Sequence, residues 1–271
     1  MDEHISHFTL LVNRFLGPLA LQLLHALRIQ PESYDAPIPE YVVMSFLVLV
    51  VGAVLALLLR SRLSVDRPGT FQQMAEGLLT NRLGFGIRDV LRVNAGHHAD
   101  SCIAFTGSIS IFVLLANLLG LIPALSSPTG VAVVPLACAI LTFLYFNYQG
   151  LRNHGPIGYA KHFAGPIWWL SWLIFPVELI STSARLLSLT VRLWANIFAS
   201  DLIYVIFLGL LLQPFTWAAE KSFLLAIPFG ILAALIPLLF VALHIFVSII
   251  QSYVFTVLPS IYIGMATADE H

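Results

Sequence analysis

The feature that most constrains this sequence is a set of apolar segments long enough to cross a lipid bilayer. A helix needs about 20 mostly apolar residues to span the hydrocarbon core. Charged residues make up only 10% of the 271-residue chain and hydrophobic residues 59%, whereas an ordinary soluble domain is about one quarter charged. So few charges cannot coat a water-facing surface, and lipid must be the solvent for much of the chain. We expect membrane spans at about residues 42–60, 103–125, 131–148, 168–212 and 222–265.

The last two apolar segments set the architecture. Each is longer than one perpendicular crossing, so each must tilt strongly, kink or run partly outside the lipid. A hairpin of the two is centred between Pro214 and Pro228, near Lys221. The sequence therefore predicts an all-α integral membrane protein of about five crossing helices, the last two forming a long, strongly tilted antiparallel hairpin.

Two other segments have the composition of helices that lie on a membrane surface. Residues 1–41 are predicted to be extramembrane or interfacial, because their apolar stretch, 15–27, is short and interrupted by polar residues. Residues 68–98 interleave apolar and polar side chains and predict one interfacial amphipathic helix. Residues 42–271 then form the membrane domain.

Basic residues in the connecting segments predict the orientation of the chain. Arg60, Arg62 and six further basic residues lie on one side of the predicted spans, whereas three lie on the other. By the positive-inside rule, the N-terminus is outside and, after five crossings, the C-terminus is cytoplasmic.

The fourth apolar segment carries an unusual set of polar residues, and an ionisable residue inside a membrane is a functional hypothesis by default. Glu178, Arg185, Arg192 and Asn196 are separated by seven, seven and four residues and share one helix face. Asp201, nine residues after Arg192, points roughly 180° away at about 100° per residue. We therefore expect Arg192 and Asp201 to face different neighbours.

The fifth segment carries His244 and Gln251, which are again seven residues apart and on one face. An antiparallel hairpin that turns near Lys221 places Arg192 level with Gln251 and Asp201 level with His244. Both polar pairs then fall at matching depths in one register.

Structural roles compete with functional ones at several of these positions. Glu178 and Arg185 could simply neutralise each other inside the helix bundle, since intramembrane charges usually pair. Asn117 and Asn196 could be interhelical hydrogen-bond partners, the commoner role of a lone asparagine in a span. Arg192 has no such explanation, because nothing in its own helix neutralises it fully.

No cofactor, metal ion or nucleic acid is predicted. His97, His98 and Asp100 resemble a metal-ligand cluster, but adjacent histidines on a helix point in different directions and no second cluster accompanies them. A formal net charge of −1 gives no electrostatic grip on nucleic acid.

From about residue 40 to the C-terminus, these motifs resemble subunit a of the rotary F-type ATP synthase. The resemblance is carried by Glu178, by the run Ser-Leu-Thr-Val-Arg-Leu-Trp-Ala-Asn-Ile-Phe-Ala-Ser-Asp at 188–201, by 117–123 and by 244–255. It implies a static subunit that packs against a ring of carboxylate-bearing c-subunits, with subunit b of the peripheral stalk and the whole ATP synthase complex as partners. It also implies two offset half-channels for protons, no ATP chemistry on this chain, and a multi-pass location in a bacterial plasma membrane, with an organelle's energy-coupling membrane as the alternative.

The resemblance assigns roles to seven residues in three groups: Arg192 facing the ring with Asn196 and Gln251 beside it, Asp201 and His244 along the outer half-channel, and Glu178 and Ser181 at the inner one. Two positions depart from the family pattern. Asp201 stands where a longer Glu or a His is frequent, and Gly120 where some members have a carboxylate.

Two other functions would leave different sequence features. A stand-alone ion-coupled secondary transporter usually shows internal repeats with interrupted helices, and the sequence has no such repeat. An intramembrane hydrolase needs a nucleophile and base or a metal motif, and none stands out. The sequence therefore favours a proton-conducting motor subunit, with the transporter as the alternative.

Overall fold

The computed structural model describes residues 6–26, 28, 36–64, 68–80, 85–122, 125–164, 168–221 and 223–267. These residues form an all-α protein, as the sequence predicts. Its α-helices within the described ranges are α1 (His7–Ala26), α2 (Glu40–Ser61), α3 (Thr70–Leu79), α4 (Ile87–Ala95), α5 (Ala99–Leu119), α6 (Val133–Ala164), α7 (Ser171–Lys221) and α8 (Phe223–Thr267). Short 3₁₀ turns add Gly96–His98, Pro128–Gly130 and Trp168–Leu170.

Within the described ranges, five helices are long and apolar enough to cross a membrane, which confirms the predicted fold class. They are α2, α5, the part of α6 up to Gly155, α7 and α8. α6 continues past the predicted span, but Gly155 breaks its helical geometry with a φ of 70°, a conformation that glycine adopts without steric penalty. Residues 1–5, 27, 29–35, 65–67, 81–84, 123–124, 165–167, 222 and 268–271 of the predicted segments lie outside the described residues.

α5 begins four residues before the predicted span and ends at Leu119, six residues before its predicted end. The loop that follows folds back onto the end of the helix. Ser127 Oγ donates a hydrogen bond of 3.0 Å to the carbonyl of Ala116, and Thr129 Oγ1 donates one of 2.6 Å to Asn117 Oδ1. Carbonyls in the last helical turn lack intrahelical donors, so the Ser127 bond stabilises the helix end, and the Thr129 bond holds the loop against the Asn117 side chain.

α7 and α8 form the two long C-terminal helices. They contain 51 and 45 residues, so at 1.5 Å per residue they are roughly 75 and 65 Å long. The hydrocarbon core is only about 30 Å thick, and a single perpendicular crossing cannot accommodate either helix. The two helices pack along each other in antiparallel order: Asn196 contacts Gln251 and, one turn on, Ser200 contacts the earlier residue His244.

The segment 68–98, predicted as one interfacial helix, is divided into α3 and α4, and the prediction of a continuous helix is wrong. Gly86 precedes α4 in an extended conformation. A Cβ atom at Gly86 would lie 2.6 Å from the carbonyl oxygen of Leu79, so the chain can make this close approach only with glycine. α4 is also less superficial than expected, because Leu91 is fully buried against α5, α6 and α8.

Two buried clusters join the helices. The first connects α4, α5, α6 and α8 through Ile87, Leu91, Ala95, Ala99, Cys102, Phe146, Ile263 and Ala266. The second connects α5, α6, α7 and α8 through Ile109, Val113, Cys138, Ala139, Leu189, Leu193 and Phe255. Small hydroxyls also join α5 to α8: Ser110 and Ser252 are 2.9 Å apart, and Thr256 donates 2.8 Å to Ser110. These contacts fix α8, and with it one wall of the candidate site.

α1 is attached to the entry of α2. The side chain of Asn13 donates to the carbonyl of Ile38 at 3.1 Å and accepts from its N–H at 2.9 Å. Ser6, directly before α1, and Thr9, Asn13 and Gly17 within it form a buried line of small and polar residues, whereas Phe15 and Leu19 are 75% and 67% exposed.

Candidate functional site

Arg192 lies on an exposed face of α7. Leu189, Leu193 and Ile197 form a stripe that is at most 2% exposed, whereas Arg192 and Asn196 are exposed. Since residues four apart lie one above the other on a helix, the two polar residues share a face, as the spacing predicts. Among the residues that the structure describes, none forms a hydrogen bond or ion pair with Arg192.

Gln251 reaches this face from α8. It is 1% exposed, and its Oε1 accepts a hydrogen bond of 3.0 Å from Asn196 Nδ2. The sequence predicts Arg192 at the level of Gln251, but Gln251 bonds Asn196, and Arg192 lies one helical turn away from this hydrogen bond. The interhelical role that the sequence left open for Asn196 is therefore real, and it sets the register of the hairpin beside Arg192.

His244 lies at the meeting of three helices. The residue is 6% exposed, and its ring has Nδ1 3.1 Å from Ser200 Oγ on α7 and Nε2 3.1 Å from the carbonyl oxygen of Asn117 on α5. A carbonyl only accepts, so Nε2 carries a proton in the neutral ring and Nδ1 accepts from Ser200. A serine hydroxyl can also accept, and the same partners therefore satisfy the doubly protonated ring.

Asp201 and His244 line one cavity of about 310 Å³. Its other walls are Gly120, Leu121, Ile122, Leu125, Ser200, Tyr204, Phe240 and Val241. Asp201 is exposed and supplies the carboxylate in this lining. A Cβ atom at Gly120 would lie 2.9 Å from Ser127 Cβ, so the loop occupies the space that a larger residue at Gly120 would need.

Glu178 lies on the opposite side of Arg192 along α7. Its Oε1 accepts a hydrogen bond of 3.4 Å from Arg185 Nη2, so the two side chains form an ion pair. Thr182 Oγ1 donates to the backbone carbonyl of Glu178 at 2.7 Å. Ser181 is half-buried and does not line the small cavity beside this pair.

The site residues thus fall at three levels of the hairpin. Asp201 is nine residues after Arg192 and Glu178 is 14 before it, which corresponds to about 13 Å and 21 Å along the helix axis. Asn196 and Gln251 are bonded at the central level, and Asp201 and His244 share a cavity at one end. Glu178 is not brought together with either group.

Three contributors to the site were not predicted in these positions. Ser200 rather than Asp201 bonds His244, and the backbone of Asn117 holds the other side of the ring. Tyr262 places its ring 5.5 Å from the Arg185 guanidinium. Ser200 is adjacent to Asp201 in the sequence, but nothing in the sequence indicates a tyrosine partner 77 residues from Arg185.

This fold and these side chains define a multi-pass α-helical membrane protein with ionisable groups along its two longest helices. The family model described as ATP synthase A chain matches residues 42–264. The chain belongs to the ATP synthase A chain family.

Relatives agree with the family match over most of their length. The protein named ATP synthase subunit a of Koribacter versatilis is 37% identical over 268 residues, which cover 99% of each chain. The protein of that name from Solibacter usitatus is 39% identical over 235 residues, 87% of this chain and 90% of the relative. That of Sulfurimonas denitrificans is 32% identical over 234 residues, 85% and 93% of the two chains.

Proposed function

We propose that this chain is the proton-conducting subunit a of a rotary ATP synthase, in which an exposed arginine faces a ring of carboxylate-bearing c-subunits. The observation that carries the proposal is Arg192, a permanently charged side chain exposed on a membrane helix with no ionic partner in the described residues. An unpaired charge in lipid costs several kcal/mol. A mobile carboxylate on another subunit would supply the missing counter-charge.

The surface around Arg192 has the composition expected of a contact between membrane helices. Ser188 is exposed one turn before the arginine, and Val191 is 52% exposed beside it. Small and apolar side chains allow close packing of helices in lipid, so a neighbouring apolar helix can bring its carboxylate to the guanidinium.

The cavity at Asp201 and His244 is the proposed outer half-channel. It is lined by the carboxylate of Asp201 and the imidazole of His244. The hydrogen-bond partners of this imidazole suit both its neutral and its doubly protonated form. Buried Asn117 Nδ2 and Gln251 Nε2 have no hydrogen-bond partner in the described residues. Buried polar groups normally bond protein or ordered water, which supports a hydrated path from this cavity toward Arg192.

Glu178 and Ser181 are the proposed groups of the inner half-channel, on the other side of Arg192. A ring carboxylate in lipid is protonated, because burial of the ion is unfavourable. Near Arg192 it ionises, since a nearby cation stabilises its charge. One carboxylate releases its proton toward Glu178 as it arrives, and another is reprotonated from Asp201 and His244 as it leaves. The fixed charge of Arg192 blocks direct passage, so proton flow requires ring rotation.

In the same proposal, the N-terminus is outside and the C-terminus cytoplasmic in a bacterial plasma membrane, and subunit b and the rest of the complex are the other partners. Residues 1–41 are the extramembrane or interfacial segment, and residues 42–271 the membrane domain. The exposed apolar side chains of α1 support a surface position, because α1 is attached to the residues directly before the first span.

A crosslinking experiment tests the ring-facing surface. Val191→Cys in the assembled complex should form a disulfide with cysteines placed near the carboxylate of the c-subunit. The matched control is Leu193→Cys, two residues away but 0% exposed, which should not react. Equal crosslinking at both positions, or none at Val191→Cys with any c-subunit cysteine in the membrane, would contradict the proposed contact.

A further inference from the structure

We propose that Arg185 and Tyr262 form a two-position switch that allows Glu178 to exchange a proton without leaving an unpaired cation in the membrane. The inference rests on the proposed function, in which Glu178 belongs to the inner half-channel. It assigns positioning roles to two residues that act through that carboxylate.

The guanidinium of Arg185 has two partners within reach. Its Nη2 is 3.4 Å from Glu178 Oε1, and its Cζ lies 5.5 Å from the centre of the Tyr262 ring. Helical side chains point toward the N-terminus of their helix, so Arg185 reaches back along α7 to Glu178. An ion pair of 3.4 Å is long for a charge-assisted hydrogen bond, while 5.5 Å is within cation–π range. The cation is therefore shared between the carboxylate and the ring.

The surroundings favour such sharing. Glu178, Arg185 and Tyr262 line a cavity of about 30 Å³, the size of one water molecule. The side chains of Arg185 and Glu178 are only 22% and 36% exposed. In this setting, loss of the carboxylate charge leaves the guanidinium without a counter-ion, and the face of an aromatic ring is the remaining attraction for it.

The proton step is balanced by the two positions. A proton released by a carboxylate of the c-ring binds a carboxylate oxygen of Glu178. The ion pair of Glu178 and Arg185, of net charge zero, then becomes a neutral carboxylic acid and a guanidinium of charge +1. The guanidinium moves onto the face of Tyr262. When the proton passes to inner water, Glu178 is again an anion and the ion pair reforms. Arg185 stays protonated throughout.

The other groups near this pair do not compete for the proton. Tyr159 of α6 lines the same cavity, and its hydroxyl donates 2.9 Å to Asn147 Oδ1. Burial, and secondarily the charge of Glu178, raise the pKa of the Tyr159 phenol above its usual value, so it remains neutral. Arg192 is the next cation on the same helix, seven residues from Arg185, and it cannot accept a proton. The lining otherwise consists of Phe146, Thr182, Met265 and Ala266.

The test uses the whole ATP synthase reconstituted in vesicles, with ATP-driven proton pumping and gradient-driven synthesis measured against the pH of the inner-side solution. Tyr262→Leu removes the ring, and we expect about a tenfold slower turnover with a displaced pH profile. Tyr262→Phe is the matched control, because it keeps the ring face, and we expect its rate to stay within about twofold of the unmodified complex. Identical rates and pH profiles for the Leu and Phe variants would overturn the switch.

A second comparison keeps the proposal testable if Tyr262→Leu does not assemble. Arg185→Gln removes the cation, so Tyr262→Met, which removes the ring face but keeps an apolar side chain of similar length, should have no further effect on the pH profile in that background. Arg185→Lys keeps a cation and should restore part of the lost turnover. Ring effects that persist undiminished in Arg185→Gln would show that the two side chains act independently and would refute the switch.

An Arg192→Ala complex measured alongside separates the two proposals. If this variant couples normally, the proposed function itself fails. If it loses coupling while Tyr262→Leu behaves like Tyr262→Phe, only the switch is refuted. Arg88→Gln, at an arginine paired with Asp100 at 3.0 Å outside this site, controls for loss of an ion pair as such.

Discussion

Arginine suits the position of Arg192 for reasons that lysine does not share. Its planar guanidinium offers five donors and remains protonated when desolvated, whereas a lysine ammonium can lose its proton when it is buried. In the proposed function, a passing carboxylate presents itself in several geometries, and a fork of donors can bind each of them. Lysine at this position should therefore serve poorly.

A prediction at the residue scale concerns the proposed outer half-channel. Asp201→Cys and His244→Cys should react with membrane-impermeant thiol reagents added from the outside, because both positions line the same cavity. The measurement is labelling of each variant in intact and inverted vesicles, after replacement of Cys102 and Cys138, the two native cysteines, both buried.

Leu193→Cys is the control for this labelling, because Leu193 is fully buried on the same helix as Asp201. If Asp201→Cys and His244→Cys resist reagents from both sides as Leu193→Cys does, the assignment of the cavity to the proton path is wrong.

Part of the residue arrangement could be predicted from spacing alone. The seven- and four-residue intervals place Arg192 and Asn196 on one face, and the structure exposes both. The hydrogen-bonded pairs differ from the predicted ones, because Gln251 bonds Asn196 and His244 bonds Ser200. Index spacing gives the level of a residue in a hairpin only to within about one turn, since tilt and proline kinks shift the register. The sequence therefore could not show that Gln251 bonds Asn196, one turn from Arg192, or that His244 bonds Ser200, one residue from Asp201.

At the scale of elements, the crossing of α4 over α8 depends on one glycine. A Cβ atom at Gly264 would overlap the backbone carbonyl oxygen of Asn94. The same crossing is joined by the hydrogen bond of 3.2 Å from Asn94 Nδ2 to Ser260 Oγ. The backbone of α4 can thus approach α8 closely only because position 264 has no side chain.

Gly264→Ala should destabilise the membrane domain by about 1–3 kcal/mol, the usual effect of overpacking a tight contact. Thermal inactivation of the purified complex measures the effect. Gly209→Ala is the control, because a Cβ atom at that position of α7 meets nothing within 4 Å. Equal thermal stability of the two variants would contradict the account of the crossing.

The elements were predictable where composition alone determines them. Length and hydropathy identify the five candidate spans, because satisfaction of backbone hydrogen bonds in lipid requires helices. The end of α5 and the division between α3 and α4 depend instead on contacts made after folding, Thr129 with Asn117 and Gly86 against Leu79. Local sequence signals carry no information on such contacts, so the sequence does not predict the end of α5 or the break between α3 and α4.

At the scale of the whole molecule, the two proposed proton paths lie at different levels of the described part of the chain. The cavity of Asp201 and His244 and the pair of Glu178 and Arg185 lie on opposite sides of Arg192 along α7. In the proposed function, a proton passes between them on a carboxylate of the c-ring. The all-α membrane class follows from the sequence, but only the burial of the side chains shows that Arg192 and Asn196 are exposed whereas Gln251 is buried.

The central claim is the role of Arg192, and Arg192→Ala tests it most directly. The substitution removes an exposed cation and not a packed core residue, so the protein should still assemble in the membrane. The variant is reconstituted with its partners, and ATP synthesis under an imposed proton gradient is measured together with passive proton leak. We predict that synthesis is abolished and that the leak is unchanged or higher, because the barrier between the half-channels is gone. Near-normal synthesis by the assembled variant would contradict the role of Arg192 and the mechanism built on it.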